Sequence, residues 1–505
     1  MLKKKDNTLF YTSLGLTLIF AIWGLIDPKS LTTNLWAWVY DFHKTFNWFT
    51  IFLPLSFLII LLGIAFSKYG EVKLGPKNSK PEFSTFSWIA MLFTAGIGVG
   101  LVNFGVAEPV VHYLYSPKGL AGGYNNIEAG KQALSLALYN WGIPAWSIYA
   151  MSGLVVGYFS YHRNTNYLPG SPIEEGFSDK KWSKKVGLFT NILATSAAAL
   201  TVAASIGLGV FQVKNAVEAI TGLSLSGSGM AIGILLVLFV GYTLPAILPL
   251  GKGMKFLGDF NIIVALGILL FTFILGPTRF FMEMILSTLG RTLTDLITVG
   301  TSTYIFQEKA WFNDWTLTTM IWWISWTPFT GVFIARISKG RTLREFILGT
   351  IGIPTFFLVI WFSVFGGYGI LNDILGNKAI SSYIINNPND VYLSFIMVLQ
   401  SLPIFKITGV LFVILIFVFL STSATSSAIA LSMMSNNGSE NAPKTRTIIW
   451  CIVMGIIASA NVLTGTLNGV RAIAVFLGLP YLFFLILQIS AFIRAIRHDV
   501  NSRRV

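Results

Sequence analysis

Runs of about 20 apolar residues, the length that crosses a bilayer as a helix, recur twelve times along this chain. They lie near residues 9–26, 46–67, 86–113, 132–160, 186–213, 229–250, 256–276, 315–336, 343–370, 404–433, 446–468 and 470–496. Polar connections between them are mostly short, and the longer ones are 113–131, 277–314 and 371–403. Within 277–314, "FFMEMILSTLGRTLTDLI" (280–297) puts Phe281, Ile285, Leu289, Leu293 and Leu296 at helical spacing, with Arg279, Glu283, Arg291 and Asp295 off that stripe. This predicts an amphipathic helix that lies on the membrane surface or against a partner subunit, as in a homotrimer, or else packs within its own chain. The pattern predicts an all-α integral membrane protein with twelve transmembrane helices, a single transmembrane domain over residues 1–505.

Two of the helices carry breakers. Segment three contains "TAGIGVGLVNFG", with Gly96, Gly98, Gly100 and Gly105, and segment eight contains "SWTPFTG", with Pro328 and Gly331. They are five helices apart. That offset predicts two inverted five-helix repeats (helices 3–7 over 86–276, helices 8–12 over 315–496), each opening with a broken helix, after two extra helices over 9–67. Paired interruptions of this kind point to a transporter's midplane site. Close helix packing through small residues is the alternative reading of the glycines.

Composition fixes the solvent. Only 11% of the residues are charged and 54% are hydrophobic, with mean hydropathy +0.70, whereas a soluble chain carries about 25% charge. The net charge of +14 invites a nucleic-acid partner, but the cations fall in alternate loops. They occur at Lys3–Lys5, Lys68–Lys80, Arg163, Lys180–Lys185, Lys252 and Lys255, Arg336–Arg344, Lys444 and Arg446, and Arg494–Arg504. A twelve-helix threading puts all of them on one side, which predicts a multi-pass cell-membrane protein with both termini cytoplasmic and no nucleic-acid role. The single Cys451 excludes an internal disulfide and a cysteine zinc site, and the four histidines have no metal-ligand spacing. The first apolar run follows a basic start but lacks a small-residue cleavage site, so it reads as a retained helix. No nucleophile or acid–base pair lies within a span, which argues against an enzyme. Glu108 and Asp259 are intramembrane acids near helix ends and suit structural or gating roles.

The candidate chemistry is aromatic. In "NWGIPAWSIYA", Trp141, Tyr149 and Trp146 fall at about 0°, 80° and 140° around a helix. In segment eight, Trp322 and Trp323 precede Trp326 by four and three residues. These three indoles stand about ten residues before the basic end at Arg336, roughly 15 Å deep, too deep for an interfacial belt. Several ring faces around one point suit a quaternary ammonium ion, which donates no conventional hydrogen bond, at about 0.5–2 kcal/mol per face. A packed aromatic core is the alternative. A carboxylate would hold such an ion too tightly for release, and segments four and eight offer none beside the rings.

The stretches "PEFSTFSWIAMLFTAGIGVG", "FGVAEPVVHY", "NWGIPAWSIYA", "WWISWTPFTGVFIARISKGRTLREF" and "STSATSS" resemble the betaine/choline/carnitine transporters over nearly the whole chain, from about residue 10 to 495. The resemblance implies a LeuT-type 5+5 inverted repeat and uptake of a trimethylammonium compatible solute for osmoprotection. Trp141, Trp146, Tyr149 and Trp323 would then line the cage, with Trp322 and Trp326 alongside. The run Gly96, Gly98, Gly100 resembles betaine carriers, whereas choline carriers tend to have an aspartate at the third glycine. Free backbone N–H groups of an unwound glycine segment can donate to betaine's carboxylate. Asn103 departs from the family pattern. No cofactor is implied, only Na⁺ as coupling ion. Thr422 and Ser423 supply hydroxyl oxygens, and the resemblance adds carbonyls of Thr94 and Ile97, with a Ser/Thr packing face as the alternative reading. Asn261 stands where ion-independent relatives carry an arginine. A second sodium site lacks hydroxyls at Ala198 and Val202, with Thr201 on another face, so the stoichiometry is open.

Overall fold

The computed structural model describes residues 7–97, 100–223, 228–249, 253–376, 378–387, 391, 393–464 and 467–501. It is 84% helical, with no strand among the described residues. Two helices, α1 (Thr8–Ile26) and α2 (Pro28–Ala65), come first. A first set follows: α3 (Thr85–Ile97), α4 (Gly100–Tyr115), α5 (Asn126–Trp141), α6 (Ile143–His162), the short α7 (Ser171–Gly176), α8 (Ser183–Thr221), α9 (Ser228–Ile247) and α10 (Gly253–Leu275). Next is α11 (Thr278–Gly300). A second set comprises α12 (Thr318–Ile337), α13 (Leu343–Trp361), α14 (Gly367–Leu375), the short α15 (Ala379–Asn386) and α16 (Leu393–Gln400), α17 (Phe405–Ser435), α18 (Lys444–Thr464) and α19 (Leu467–Asn501).

The apolar runs fall mainly on these helices among the described residues. Among the described residues, ten helices or helix pairs are long and apolar enough to cross a membrane. The exceptions are the α3–α4 region and α12. Both are interior elements, and α12 buries every residue except Thr319, Trp322 and Arg336. An element that meets protein rather than lipid can carry Trp, Thr, Ser and Gly in place of Leu and Ile.

Packing follows an exchange rule between the two sets. α12 lies on α6 as α4 lies on the turn between α13 and α14. α3 packs on α10 as α12 packs on α19, and α8 on α18 as α17 on α9. α8 also meets α19 as α17 meets α10, and the central pair α8–α17 maps onto itself. The sets run in opposite senses: Arg336, at the end of α12, pairs with Glu82 at 2.7 Å, just before α3 begins. The same end gathers the basic loops. Arg336 also meets Glu440 (2.8 Å), Arg163 meets Asp499 (2.7 Å), and Arg344 Nε donates to the Ala65 carbonyl (2.8 Å). Lys3–Lys5, Lys252, Arg503 and Arg504 lie outside the described residues.

The amphipathic segment forms α11 and packs mainly on α5. Phe281 is buried, but Leu293 of the predicted stripe is exposed, as are Met282, Leu286 and Ile297. The inward face is instead tied to α5 by polar residues: Arg291 Nη2 donates to Glu128 (3.0 Å) and Ser135 Oγ to Asp295 (2.6 Å).

The expected break in segment eight does not occur. α12 runs unbroken through Pro328. Proline removes the N–H that would reach the Ile324 carbonyl, but the Thr327 hydroxyl donates to that carbonyl at 2.5 Å, and the Thr330 hydroxyl donates to the Trp326 carbonyl. Such hydroxyls are how proline is tolerated within a bilayer. The interruption expected at the glycine run falls on residues 98–99, outside the described residues. A division that the sequence reading missed lies in segment four, where Gly142 (φ −92°, ψ −127°) separates α5 from α6. A Cβ there would come 2.6 Å from the Leu138 carbonyl, and Pro144 opens α6.

Thr327→Val should therefore lower the apparent melting temperature of the detergent-solubilised protein, by leaving a buried carbonyl unmet at about 1–3 kcal/mol. Thr327→Ser, which keeps the hydroxyl, should melt near the parent. Equal melting of the two variants would contradict this account of Pro328.

Candidate functional site

The site starts from "NWGIP". α5 ends at Trp141, with Gly142 outside helical geometry and Pro144 lacking an N–H, so the Asn140 carbonyl in the last turn has no helical donor. The indole of Trp323 crosses from α12 and donates Nε1–H to that carbonyl at 2.7 Å. This bond fixes Trp323 beside the end of α5. Trp141 meets Trp323 edge to face (centroids 5.0 Å, 88°), Tyr149 meets Trp323 likewise (5.5 Å, 89°), and Trp146 meets Tyr149 (5.7 Å, 87°). The four rings form one continuous chain drawn from α5, α6 and α12.

Glycines seat these rings. A Cβ on Gly100 would come 2.5 Å from the Trp141 ring, and one on Gly96 would come 2.7 Å from Trp146. No side chain fits without moving an indole, so this part of the glycine run serves ring packing. Gly98 lies outside the described residues, as do the side chains of Thr94 and Asn103.

A narrow cavity of about 50 Å³ opens beside the rings, lined by Trp141, Trp322, Trp323, Trp326, Gly100, Ile97 and Phe104, with Glu108, Ser205, Leu208, Trp315, Thr319 and Arg471 completing the wall. It has room for a few waters at about 10–15 Å³ each, so a trimethylammonium group needs the rings to part. Trp146 and Tyr149 stand behind Trp323 rather than on the wall. Trp326 Nε1 is buried with no acceptor among the described residues.

Segments four and eight offer no carboxylate beside the rings, but segment three does: α4, which also brings Phe104 to the wall, supplies Glu108. Its Oε2 accepts the Trp141 Nε1–H at 2.6 Å and its Oε1 accepts the Asn140 Nδ2–H at 2.6 Å, with His112 Nε2 at 3.1 Å. Trp311 Nε1–H donates to His112 Nδ1 at 3.1 Å. An indole only donates, so the imidazole carries its proton on Nε2, directed at Glu108. Every neighbour of this carboxylate is thus a donor. Asp259 plays a different part, accepting from Ser87 Oγ at 3.1 Å to tie α10 to α3.

The hydroxyl-rich helix α17 packs on α3, α8, α9 and α10. Thr422 and Ser423 are buried. Asn261 Nδ2 donates to Thr422 Oγ1 at 3.3 Å, and that hydroxyl donates to the Val418 carbonyl. Thr425 bonds the Tyr242 carbonyl at 3.0 Å, and Ser426 and Ser427 bond that of Ser423 at 2.9 and 2.8 Å. Asn261 Oδ1, Ser421 Oγ and Thr201 Oγ1 are buried without a partner among the described residues. Ala198 and Val202 are buried apolar positions on α8. Sequence reasoning missed Glu108 as a wall residue, and with it Phe104, Trp315 and Arg471. The signal for Glu108 was its place three and four residues from Gly105 and Phe104 on the glycine-rich segment.

Residues 8–501 match the family BCCT, betaine/carnitine/choline family transporter. The betaine/ectoine transporter LcoP of Corynebacterium glutamicum is 34% identical over 99% of this chain and 79% of its own length. The high-affinity choline transport protein of Escherichia coli K12 is 32% identical over 99% and 73% respectively. The glycine betaine transporter OpuD of Bacillus subtilis is 30% identical over 98% and 95%. The crystal structure of MhsT in complex with L-phenylalanine covers 83% of this chain and 99% of its own at 13% identity, with a TM-score of 0.47, too low to carry an argument.

Gly100→Ala should lower the apparent melting temperature, since overpacking costs about 1–3 kcal/mol, and adding Trp141→Phe should restore part of the loss. Gly267→Ala, where a Cβ meets nothing within 4 Å, should not lower it. Equal effects at the two glycines would contradict the seating of Trp141.

Proposed function

Because the chain belongs to the betaine/carnitine/choline family of transporters, we propose that it takes up glycine betaine by symport with Na⁺, as an osmoprotectant. It is a multi-pass membrane protein and a transporter rather than an enzyme. The observation that carries the substrate is the single cavity bounded by Trp141, Trp322, Trp323 and Trp326. The trimethylammonium group enters between Trp141 and Trp323, with Tyr149 and Trp146 as the backing rings. Three or four faces supply roughly 2–6 kcal/mol, a micromolar-to-millimolar site that can release its cargo. Trp326 Nε1–H, buried and without an acceptor among the described residues, and backbone N–H groups of the run Gly96, Gly98, Gly100 receive the carboxylate. Relatives named for betaine transport support this solute.

Choline is the second reading. The Glu108 carboxylate on the cavity wall favours a bare cation, and a relative is named for choline.

For coupling, Thr422 and Ser423 hydroxyls with carbonyls of Thr94 and Ile97 bind Na⁺ where α17 packs on α3. Occupation requires the Asn261 amide to yield its contact with Thr422. Glycine betaine has no net charge, so each Na⁺ alone gains about 2.3 kcal/mol per 100 mV, roughly fiftyfold accumulation. The buried Ala198 and Val202 argue against a second ion held in the usual way. By the positive-inside rule, the end bearing Arg336 and Arg344 faces the cytoplasm and the Arg471 end faces out.

Uptake of radiolabelled betaine, choline and carnitine into proteoliposomes, with Na⁺ then replaced by K⁺, tests the reading. Betaine uptake should require Na⁺ and carry inward current. Trp323→Ala should weaken betaine affinity at least tenfold, because one desolvated cation–π face is worth about 2 kcal/mol, and Trp323→Phe should fall between. Normal transport by both variants would remove the cage, while uptake indifferent to Na⁺ would remove the coupling and leave the cage standing.

A further inference from the structure

The cavity is bounded at one end by Arg471, a cation that the reading above does not use. Arg471 comes from the first turns of α19. Trp315 and Arg471 line both this cavity and a wider one of about 510 Å³ on the side away from Arg336, which Trp36, Tyr40, Tyr115 and Asp314 help to enclose. The substrate therefore passes Arg471 before it meets Trp323.

The surroundings of this guanidinium are unusual. Its carbon lies 5.7 Å from the Trp322 ring centroid and 6.0 Å from those of Trp36 and Trp315. Three indoles stabilise the charge without neutralising it. Nη2 donates to the Asp314 backbone carbonyl at 3.3 Å, and Nε is buried with no acceptor among the described residues. No carboxylate among the described residues lies within 4.0 Å of its nitrogens. The nearby Asp314 side chain is taken by the Tyr40 hydroxyl at 2.7 Å. Arginine holds its proton under all ordinary conditions, and its planar fork matches a carboxylate. A guanidinium with spare donors on a cavity wall is an anion receptor.

The wall thus carries two opposite charges, Glu108 and Arg471. Their sum suits a solute with one cationic and one anionic end, and it opposes a bare cation, which Arg471 repels. We propose that Arg471 is the specificity-determining residue that admits zwitterions ahead of bare cations, binding the substrate's carboxylate while the trimethylammonium group leads towards Trp141 and Trp323. This rests on the reading of the cage as the trimethylammonium site. Arg471 acts on the way in, before the carboxylate reaches Trp326.

Saturation curves for glycine betaine and choline in proteoliposomes holding the parent protein, Arg471→Gln and Arg471→Lys decide the matter. Arg471→Gln should raise the half-saturating betaine concentration at least about tenfold, the loss expected for a charge-assisted hydrogen bond, while choline saturates at the same concentration or lower. Arg471→Lys keeps the charge without the fork and should lower betaine preference by a smaller factor, so it serves if Arg471→Gln fails to reach the membrane. A betaine-to-choline ratio unchanged in either variant, or an equal loss for both solutes, overturns the role of Arg471 alone. A parent protein that transports neither solute overturns the cage reading itself.

Discussion

The site depends on one backbone carbonyl with no helical donor. Within a bilayer no water can meet a carbonyl stranded at a helix end, so protein must. At Asn140 the donor is the indole of Trp323, 183 residues later in the chain and on the other five-helix set. That bond joins α5 to α12 at the depth where the rings gather. It also fixes which edge of Trp323 faces Asn140 and sets its ring perpendicular to those of Trp141 and Tyr149. The second proline at this depth, Pro328, is handled within its own helix by Thr327, and α12 runs on unbroken past the wall formed by Trp322, Trp323 and Trp326.

Around that joint the residue choices follow from space and charge. Gly96 and Gly100 are small because indoles occupy the volume beside them. Glu108 sits among donors, and it holds Trp141 by its N–H while Asn140 holds Trp323 by its carbonyl. The carboxylate and the aromatic chain are thus one network: a change at Glu108 reaches the ring faces through two hydrogen bonds. Movement of the α5–α6 junction at Gly142 relative to α12 would alter ring spacing directly, and the small cavity requires such movement to admit a solute.

Much of this was legible in the sequence. The apolar runs, the basic groups near Arg336 and the two aromatic clusters, one of Trp141, Trp146 and Tyr149 and one of Trp322, Trp323 and Trp326, follow from spacing and depth, while the meeting of the two clusters was implied only by the family resemblance. The reading failed where a side chain replaced a missing backbone donor. "SWTPFTG" looks like a break because the Thr327 and Thr330 hydroxyls cannot be assigned to carbonyls from sequence. "NWGIP" was read for its aromatics, although Gly142 and Pro144 divide the helix there. The search for a carboxylate stopped at the segments that carry rings, and Glu108 reaches them from α4. The first half of α2, with Trp36, Tyr40, Asp41 and Lys44, is too polar for a hydropathy window, yet it forms part of the wall near Arg471. Leu293 lay on the apolar stripe of α11 but is exposed, since Arg291 and Asp295 pair with α5 and turn the helix.

The most direct test of this account compares two indoles on α12, read as apparent melting temperature in detergent for the parent, Trp323→Phe and Trp326→Phe. Each variant keeps a ring and loses an N–H, but only Trp323 has an acceptor, the Asn140 carbonyl at 2.7 Å, while the buried Trp326 Nε1 has none among the described residues. The account predicts that Trp323→Phe destabilises the protein by about 1–3 kcal/mol more than Trp326→Phe. Equal cost in the two variants would show that the indole N–H does not hold the Asn140 carbonyl, and the joint between the two helix sets would have to lie elsewhere.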